Sequence, residues 1–226
     1  MTLTLLHWPL QERPRERLLK NGPQQLSDTE LLAIILRSGT RGLTVLELAG
    51  SLLTHFGSLR GVISASSHEL CAIPGIGKAR YCELQAAMEI CRRQLAEPLF
   101  KRSVFHCAED AKFYLRAELR DLKREVFGVL MLDSQHQLIT FRKLFSGTIN
   151  AAAVYPREIV KQVIADHAAA IILVHNHPSG NPTPSEADIR LTRDIKHAMA
   201  LVDVEVLDHF IVADNQVCSL AQQGLM

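Results

Sequence analysis

The chain has 226 residues, 47% of them hydrophobic and 22% charged, the balance of an ordinary globular protein built as one large domain or as a small domain joined to a medium one. Residues 1–100 carry 11 Lys and Arg against 9 Asp and Glu, and the remainder 14 against 15, so bulk electrostatic attraction to nucleic acid is excluded and any such contact must be local. Five cysteines without a C-x-x-C pair make a poor disulfide framework, the first residues reverse the order of a secretory signal, and no stretch approaches the roughly 18 apolar residues of a membrane span; the expected setting is the cytoplasm, with no membrane.

The first hundred residues predict short helices. Ser27 and Glu30 have capping-box spacing ahead of LLAIIL, with Ser38-Gly39 as the stop. A second helix follows Thr44 and ends near Gly57, and a third opens at Ser66 with Glu69 three residues on. The helix predicted from Lys78 to Leu95 places Leu84, Met88, Cys91 and Leu95 on one face as core, and Cys82 and Cys91 are expected as small buried side chains. Around residues 96–106 the helical period stops at Pro98 amid mixed charge. The domains are therefore expected at 1–97 and 104–226.

Beyond that point helical and strand patterns alternate. A helix is predicted around 108–121, strands at 126–132 and roughly 138–145, and an amphipathic helix after Pro156. AAIILV, 169–174, is a continuous apolar run of the kind buried on both faces of a sheet. A long helix from Ser185 to about Val202 should turn Leu191, Ile195, Ala198 and Val202 inward. VEVLDHFIVAD and VCSL resemble a closing hairpin across Asn215. The expected class is α/β, preceded by a small all-α domain.

The chemistry is concentrated in IILVHNHPSGNPTPSEAD. Period-two alternation sends His175 and His177 to one side of a strand end, with Asn176 opposite. A stiff loop with Pro178, Gly180, Pro182 and Pro184 follows, and Asp188 in the first turn of the next helix can return to the histidines as a third ligand. Three protein ligands with one open position are the usual pattern of a catalytic zinc site. Each piece also has a plain structural explanation. A histidine at a strand end is usually a satisfied polar residue, and Ser185-x-x-Asp188 is also a capping box.

The spacing His175-x-His177, seven residues, Ser185-x-x-Asp188, with a glutamate upstream, resembles the motif of JAMM (MPN-plus) metalloproteases. HNHPSG resembles the RadC-type branch of that family, whose members also begin with a helical region carrying a helix-hairpin-helix. The resemblance implies a mixed-sheet JAMM/MPN-like domain flanked by helices, with Zn2+ held by His175, His177 and Asp188. It implies that Ser185 stabilises the oxyanion of a tetrahedral intermediate and that an upstream glutamate is the general base. Glu125, heading EVFGVL, is similar to the start of the family's strand. Glu158 competes with it, but has a sufficient structural reason to sit in a first helical turn. The implied activity is cleavage of a peptide or isopeptide bond in a protein or peptide substrate. Asp208 and His209 are expected in a supporting hydrogen-bonded or structural role rather than as ligands.

Between two predicted helices, Ile73-Pro74-Gly75-Ile76-Gly77-Lys78 is similar to a helix-hairpin-helix turn. Gly75, Gly77 and Lys78 would there contact a nucleic-acid backbone without reading bases, weakly and with strong salt dependence. Two further functions compete with the protease reading. A metal-dependent nuclease would need carboxylates for two ions. A non-catalytic DNA-associated module with a structural zinc would need a fourth protein ligand, for which Cys218 or His209 is the nearest candidate.

Overall fold

The computed structural model describes residues 8–104, 108–147, 154–214 and 216–226. The chain divides into two compact units, Met1–Cys91 and Arg92–Met226. Cys107 and Asn215, the expected hairpin turn, lie outside the described residues. No described helix is long and apolar enough to cross a membrane.

The first unit is helical: α1 (Pro14–Asn21), α2 (Asp28–Leu36), α3 (Val45–Phe56), α4 (Leu59–Ser64), α5 (Ser67–Cys71) and the beginning of α6 (Lys78–Ala96). Ser27–Glu30, Thr44–Glu47 and Ser66–Glu69 each close a capping box that satisfies the free N–H groups at a helix start. Helices α1 and α4 go beyond the elements the apolar pattern predicts. Pro14 opens the polar α1, and the six-residue α4 has Ser58 as its cap. Leu32, Leu36, Leu48, Leu52, Val62, Leu70, Ile76 and Leu84 form the buried cluster. Cys82 and Cys91 are exposed rather than buried. Cys82 lies two positions, about 200° of helix, from Leu84, and Cys91 falls where the two units divide, so the predicted α6 stripe keeps only Leu84 in this core.

The segment around Pro98 belongs to the second unit, because Leu99 and Val104 are buried in its core. That unit comprises α7 (Ala108–Leu119), β1 (Val126–Leu132), β2 (Leu138–Ser146), α8 (Pro156–Ala165), β3 (Ala170–Asn176), α9 (Glu186–Ala200), β4 (Glu205–Val212) and β5 (Val217–Ser219). The sheet order is β2-β1-β3-β4-β5. Among the described strands β3 and β4, joined through α9, run parallel, and the other pairs are antiparallel. Every residue of the central β3 is buried, which is why its text is apolar without alternation. On one face α7 contributes Leu115 and Leu119 to a cluster with Leu130, Ile172, Val174 and Phe210. On the other, Ile159 and Val163 of α8 and Ile195 and Met199 of α9 cover Phe127, Val129, Ile171 and Leu173.

Two local departures from regularity decide what reaches the second face. The fully buried residues of α9 are Thr192, Ile195 and Met199; of the predicted inward residues Ile195 is one of these, and Leu191, Ala198 and Val202 are partly buried against the same cluster. In β4 the register against β3 slips between Ile171↔Val206 and Ile172↔Asp208. Val206 lies on the α8/α9 face, and without the slip His209 would point away from it. The extra residue reverses the parity and turns His209 toward α9, the usual effect of a bulge.

Gly128 sits at a second irregularity, between Phe127 and Gly128 in the β1–β2 ladder. A Cβ there would lie 2.7 Å from Phe141 Cε2 and 2.9 Å from the Arg142 carbonyl oxygen. Gly128→Ala is therefore expected to cost about 1–3 kcal/mol through overpacking. Chemical denaturation of the full chain measures this, and an unchanged unfolding midpoint contradicts the close approach.

Candidate metal centre

The C-terminal end of β3 and the residue after it carry His175, Asn176 and His177. The pleat sends both imidazoles toward α9 and Asn176 to the opposite side. His175 Nε2 and His177 Nε2 are 2.9 Å apart. Asp188 Oδ1 lies 3.3 Å from the first and Oδ2 3.7 Å from the second. One ligand atom from each of the three residues falls within 4.8 Å of the others. The side chain of His175 is 1% exposed, against 19% for His177 and 13% for Asp188, so solvent approaches past the latter pair.

The loop between β3 and α9 fixes this arrangement by hydrogen bonds. His177 Nδ1 donates to the Asn181 carbonyl at 2.7 Å. A carbonyl can only accept, so the hydrogen is on Nδ1, and a neutral ring turns the lone pair of Nε2 inward. The Gly180 N–H donates back to the His177 carbonyl at 3.0 Å, in a turn that gives Gly180 a φ of 79°.

Asp188 completes the capping box that the sequence offers and also faces the histidines. Its Oδ2 accepts from the Ser185 N–H and the Ser185 hydroxyl, both at 2.7 Å, while its own N–H donates to Ser185 Oγ at 3.2 Å. That is a complete capping box for α9. Oδ1 remains on the histidine side. Burial pushes the Asp188 carboxyl up, but the adjacent His175 ring, which donates to it and attracts it whenever the ring carries a second proton, and the hydrogen bonds from Ser185 outweigh that and hold the group below the ordinary carboxylate range. Two imidazoles and an ionised carboxylate converging in a largely buried place suit a divalent cation, and their number and type match a three-ligand site with an open position.

Glu125 immediately precedes β1 and is half-buried, and its carbonyl accepts the Gly147 N–H at 2.9 Å. Antiparallel pairing matches Phe127 with His175. The ladder ends there, two residues short of Glu125, and the cluster found among the described residues does not include Glu125. Glu158 stands in the first turn of α8, with Lys161 at 3.2 Å and Arg157 at 3.4 Å, as its structural explanation requires. His209 is fully buried, and its Nε2 lies 2.8 Å from His175 Nδ1, the ring nitrogen facing away from the cluster. Burial holds His209 toward its neutral form, with the charge of His175 acting the same way. Cys218 is paired in the ladder with Ile211 and is not part of the cluster.

In the first unit, Gly75 has a φ of 90°, and a Cβ on it would lie 2.0 Å from Thr40 Cγ2. The turn is clamped by Arg80, which donates to the carbonyls of Gly75, Ser38 and Gly39. Gly75 therefore has a packing reason independent of any phosphate. Gly77 and Lys78 are exposed at the start of α6.

Asn176 has a role that the sequence pattern leaves unspecified. Only 1% exposed, it accepts the Val126 N–H at 2.8 Å through Oδ1 and donates through Nδ2 to the carbonyls of Arg124 at 3.1 Å and Leu122 at 3.3 Å. Alternation gives its side but not its partners, which are some fifty residues upstream. It ties the segment carrying Glu125 to the strand carrying the histidines. Asn176→Ala strands a part-buried N–H and two carbonyls and is expected to cost about 1–3 kcal/mol. Amide hydrogen exchange at Val126 should rise with it, and unchanged protection there would contradict the tether.

A family model for the RadC-like JAB domain matches residues 105–225, and one for the UPF0758 N-terminal region matches residues 5–82. A UPF0758 protein of Alteromonas mediterranea is 55% identical over 219 residues, covering 97% of both chains. Another, of Pseudoalteromonas atlantica, is 53% identical over 224 residues, covering 99% of this chain and all of its own. A third, of a Marinomonas species, is 54% identical over the same length. The His-His-Asp cluster thus sits in a JAB-like domain, a class associated with metal-dependent hydrolysis, and the chain belongs to the RadC-like, UPF0758 family.

Proposed function

We propose that the chain is a zinc-dependent hydrolase that cleaves a peptide or isopeptide bond, with His175, His177 and Asp188 as ligands and Glu125 as general base. The observation that carries this reading is the convergence of His175 Nε2, His177 Nε2 and the Asp188 carboxylate within 4.8 Å at a partly open strand end. Zinc bound there supplies Lewis acidity that polarises a scissile carbonyl and acidifies water.

The chain's own groups do the rest. Glu125, on the segment just ahead of β1, takes the proton of the attacking water and hands it to the leaving nitrogen. Ser185 spends its hydroxyl hydrogen on Asp188 Oδ2 in the resting arrangement. To stabilise an oxyanion that hydroxyl turns outward, and the Ser185 N–H keeps the carboxylate in place. Asn176 holds the Glu125 segment at a fixed distance from the ligands.

Two features favour this reading over its rivals. The cluster among the described residues offers one carboxylate, whereas a two-metal nuclease needs enough to hold ions about 3.5–4 Å apart. His209, the nearest candidate for a fourth ligand, contacts the outer nitrogen of His175, leaving the open position that a closed structural zinc site lacks.

Glu125→Gln is expected to keep one zinc per chain and to lose about 10²–10⁴-fold in peptide-bond cleavage, read by profiling proteolysis of a peptide library against the unsubstituted chain. His177→Ala should lose both the metal and the cleavage. Elemental analysis showing full zinc in His177→Ala overturns the ligand assignment. Two metals per chain together with DNA cleavage would select the nuclease instead.

A further inference from the structure

The outer side of His175 is built as closely as its inner side. His209 Nε2 lies 2.8 Å from His175 Nδ1, and His209 Nδ1 lies 2.6 Å from Thr192 Oγ1. Thr192 and His209 are each fully buried. Thr192 in turn donates its hydroxyl to the Asp188 carbonyl oxygen, one helical turn back, at 2.6 Å.

Every hydrogen along this path has one consistent position. A carbonyl oxygen only accepts, so the single hydroxyl hydrogen of Thr192 goes to Asp188, and Thr192 Oγ1 must accept from His209. His209 Nδ1 therefore carries a hydrogen. A charged His209 would be buried against a hydroxyl and an imidazole, neither of them an anion, at a high desolvation cost. Its Nε2 is then a lone pair, and the 2.8 Å contact requires His175 Nδ1–H as donor. A neutral His175 so arranged has its lone pair on Nε2, the atom that faces His177 and Asp188.

We propose that Thr192 and His209 are positioning residues that lock His175 in its Nδ1–H tautomer and so leave Nε2 free to bind metal. The path runs from the Asp188 backbone through Thr192 and His209 to His175, whose Nε2 faces the Asp188 carboxylate at 3.3 Å. The β4 bulge is what brings His209 into it, and Asp208 sustains the bulge. Asp208 Oδ1 accepts the His209 N–H at 2.7 Å and the Ala221 N–H at 3.0 Å, and Oδ2 accepts the Ser219 hydroxyl at 2.5 Å. Asp208 and His209 thus act as a pair, one shaping the strand and the other orienting a ligand. The effect on metal affinity rests on the metal-centre reading, whereas the tautomer is a property of the metal-free chain.

The test is nitrogen-15 imidazole spectroscopy of the full metal-free chain at alkaline pH, paired with zinc affinity by chelator competition. His175 and His209 are expected as Nδ1–H tautomers in the unsubstituted chain and in Thr192→Ser, which keeps the hydroxyl. Thr192→Val keeps the shape and loses the acceptor, so both rings should shift toward Nε2–H and zinc affinity should fall roughly 10- to 100-fold. Thr192→Ser should restore it. Finding His209 as Nε2–H in the unsubstituted chain overturns the proposal, whether or not Thr192→Val folds. A folded Thr192→Val with unchanged tautomers and zinc affinity also overturns it. An unsubstituted chain that shows both Nδ1–H rings yet binds no zinc sinks the metal reading and upholds the tautomer lock.

Discussion

The second unit depends on a concentration of electron pairs at one strand end. Two imidazole nitrogens 2.9 Å apart, beside a carboxylate largely shielded from water, repel one another unless a cation or a shared proton lies among them. Holding such groups together requires neighbours that fix each one independently. The buried β3 fixes His175, the carbonyl of Asn181 fixes the ring of His177, and Ser185 fixes Asp188. These supports come from a strand, a loop and a helix start, and none relies on the cation itself.

The double use of Asp188 links secondary structure to chemistry. One carboxylate oxygen completes the N-terminal cap of α9, and the other is turned toward His175. The cap fixes where α9 begins and hence the phase of its inward line, in which Thr192 lies one turn beyond Asp188. The position of the cluster's carboxylate and the packing of a helix on the sheet are therefore set by the same four residues, Ser185 to Asp188.

Much of this was legible in the sequence because its signals are local and periodic. The apolar run of β3, the alternation across His175-Asn176-His177 and the capping spacing of Ser185 and Asp188 depend on a few adjacent residues. Other elements lack such signals. Helix α1 is polar and α4 is six residues long. A polar residue, Thr192, takes a fully buried place on α9 that an apolar pattern assigns elsewhere. The β4 bulge reverses strand parity at Asp208, so alternation counted from Val206 misplaces His209. Cys82 and Cys91 follow a helical period, but exposure depends on where the core ends, which the period does not encode. The partners of Asn176 are far upstream, beyond any local pattern.

The pleat of β3 assigns opposite duties to neighbouring residues: imidazoles on the side of α9, and an amide that ties down the 122–126 segment on the other. Inserting or removing a single residue upstream in this strand would exchange those sides, presenting the amide to the ligand cluster and driving the rings into the apolar layer beneath α7. The strand can thus drift in side-chain identity along its core while its residue count stays frozen.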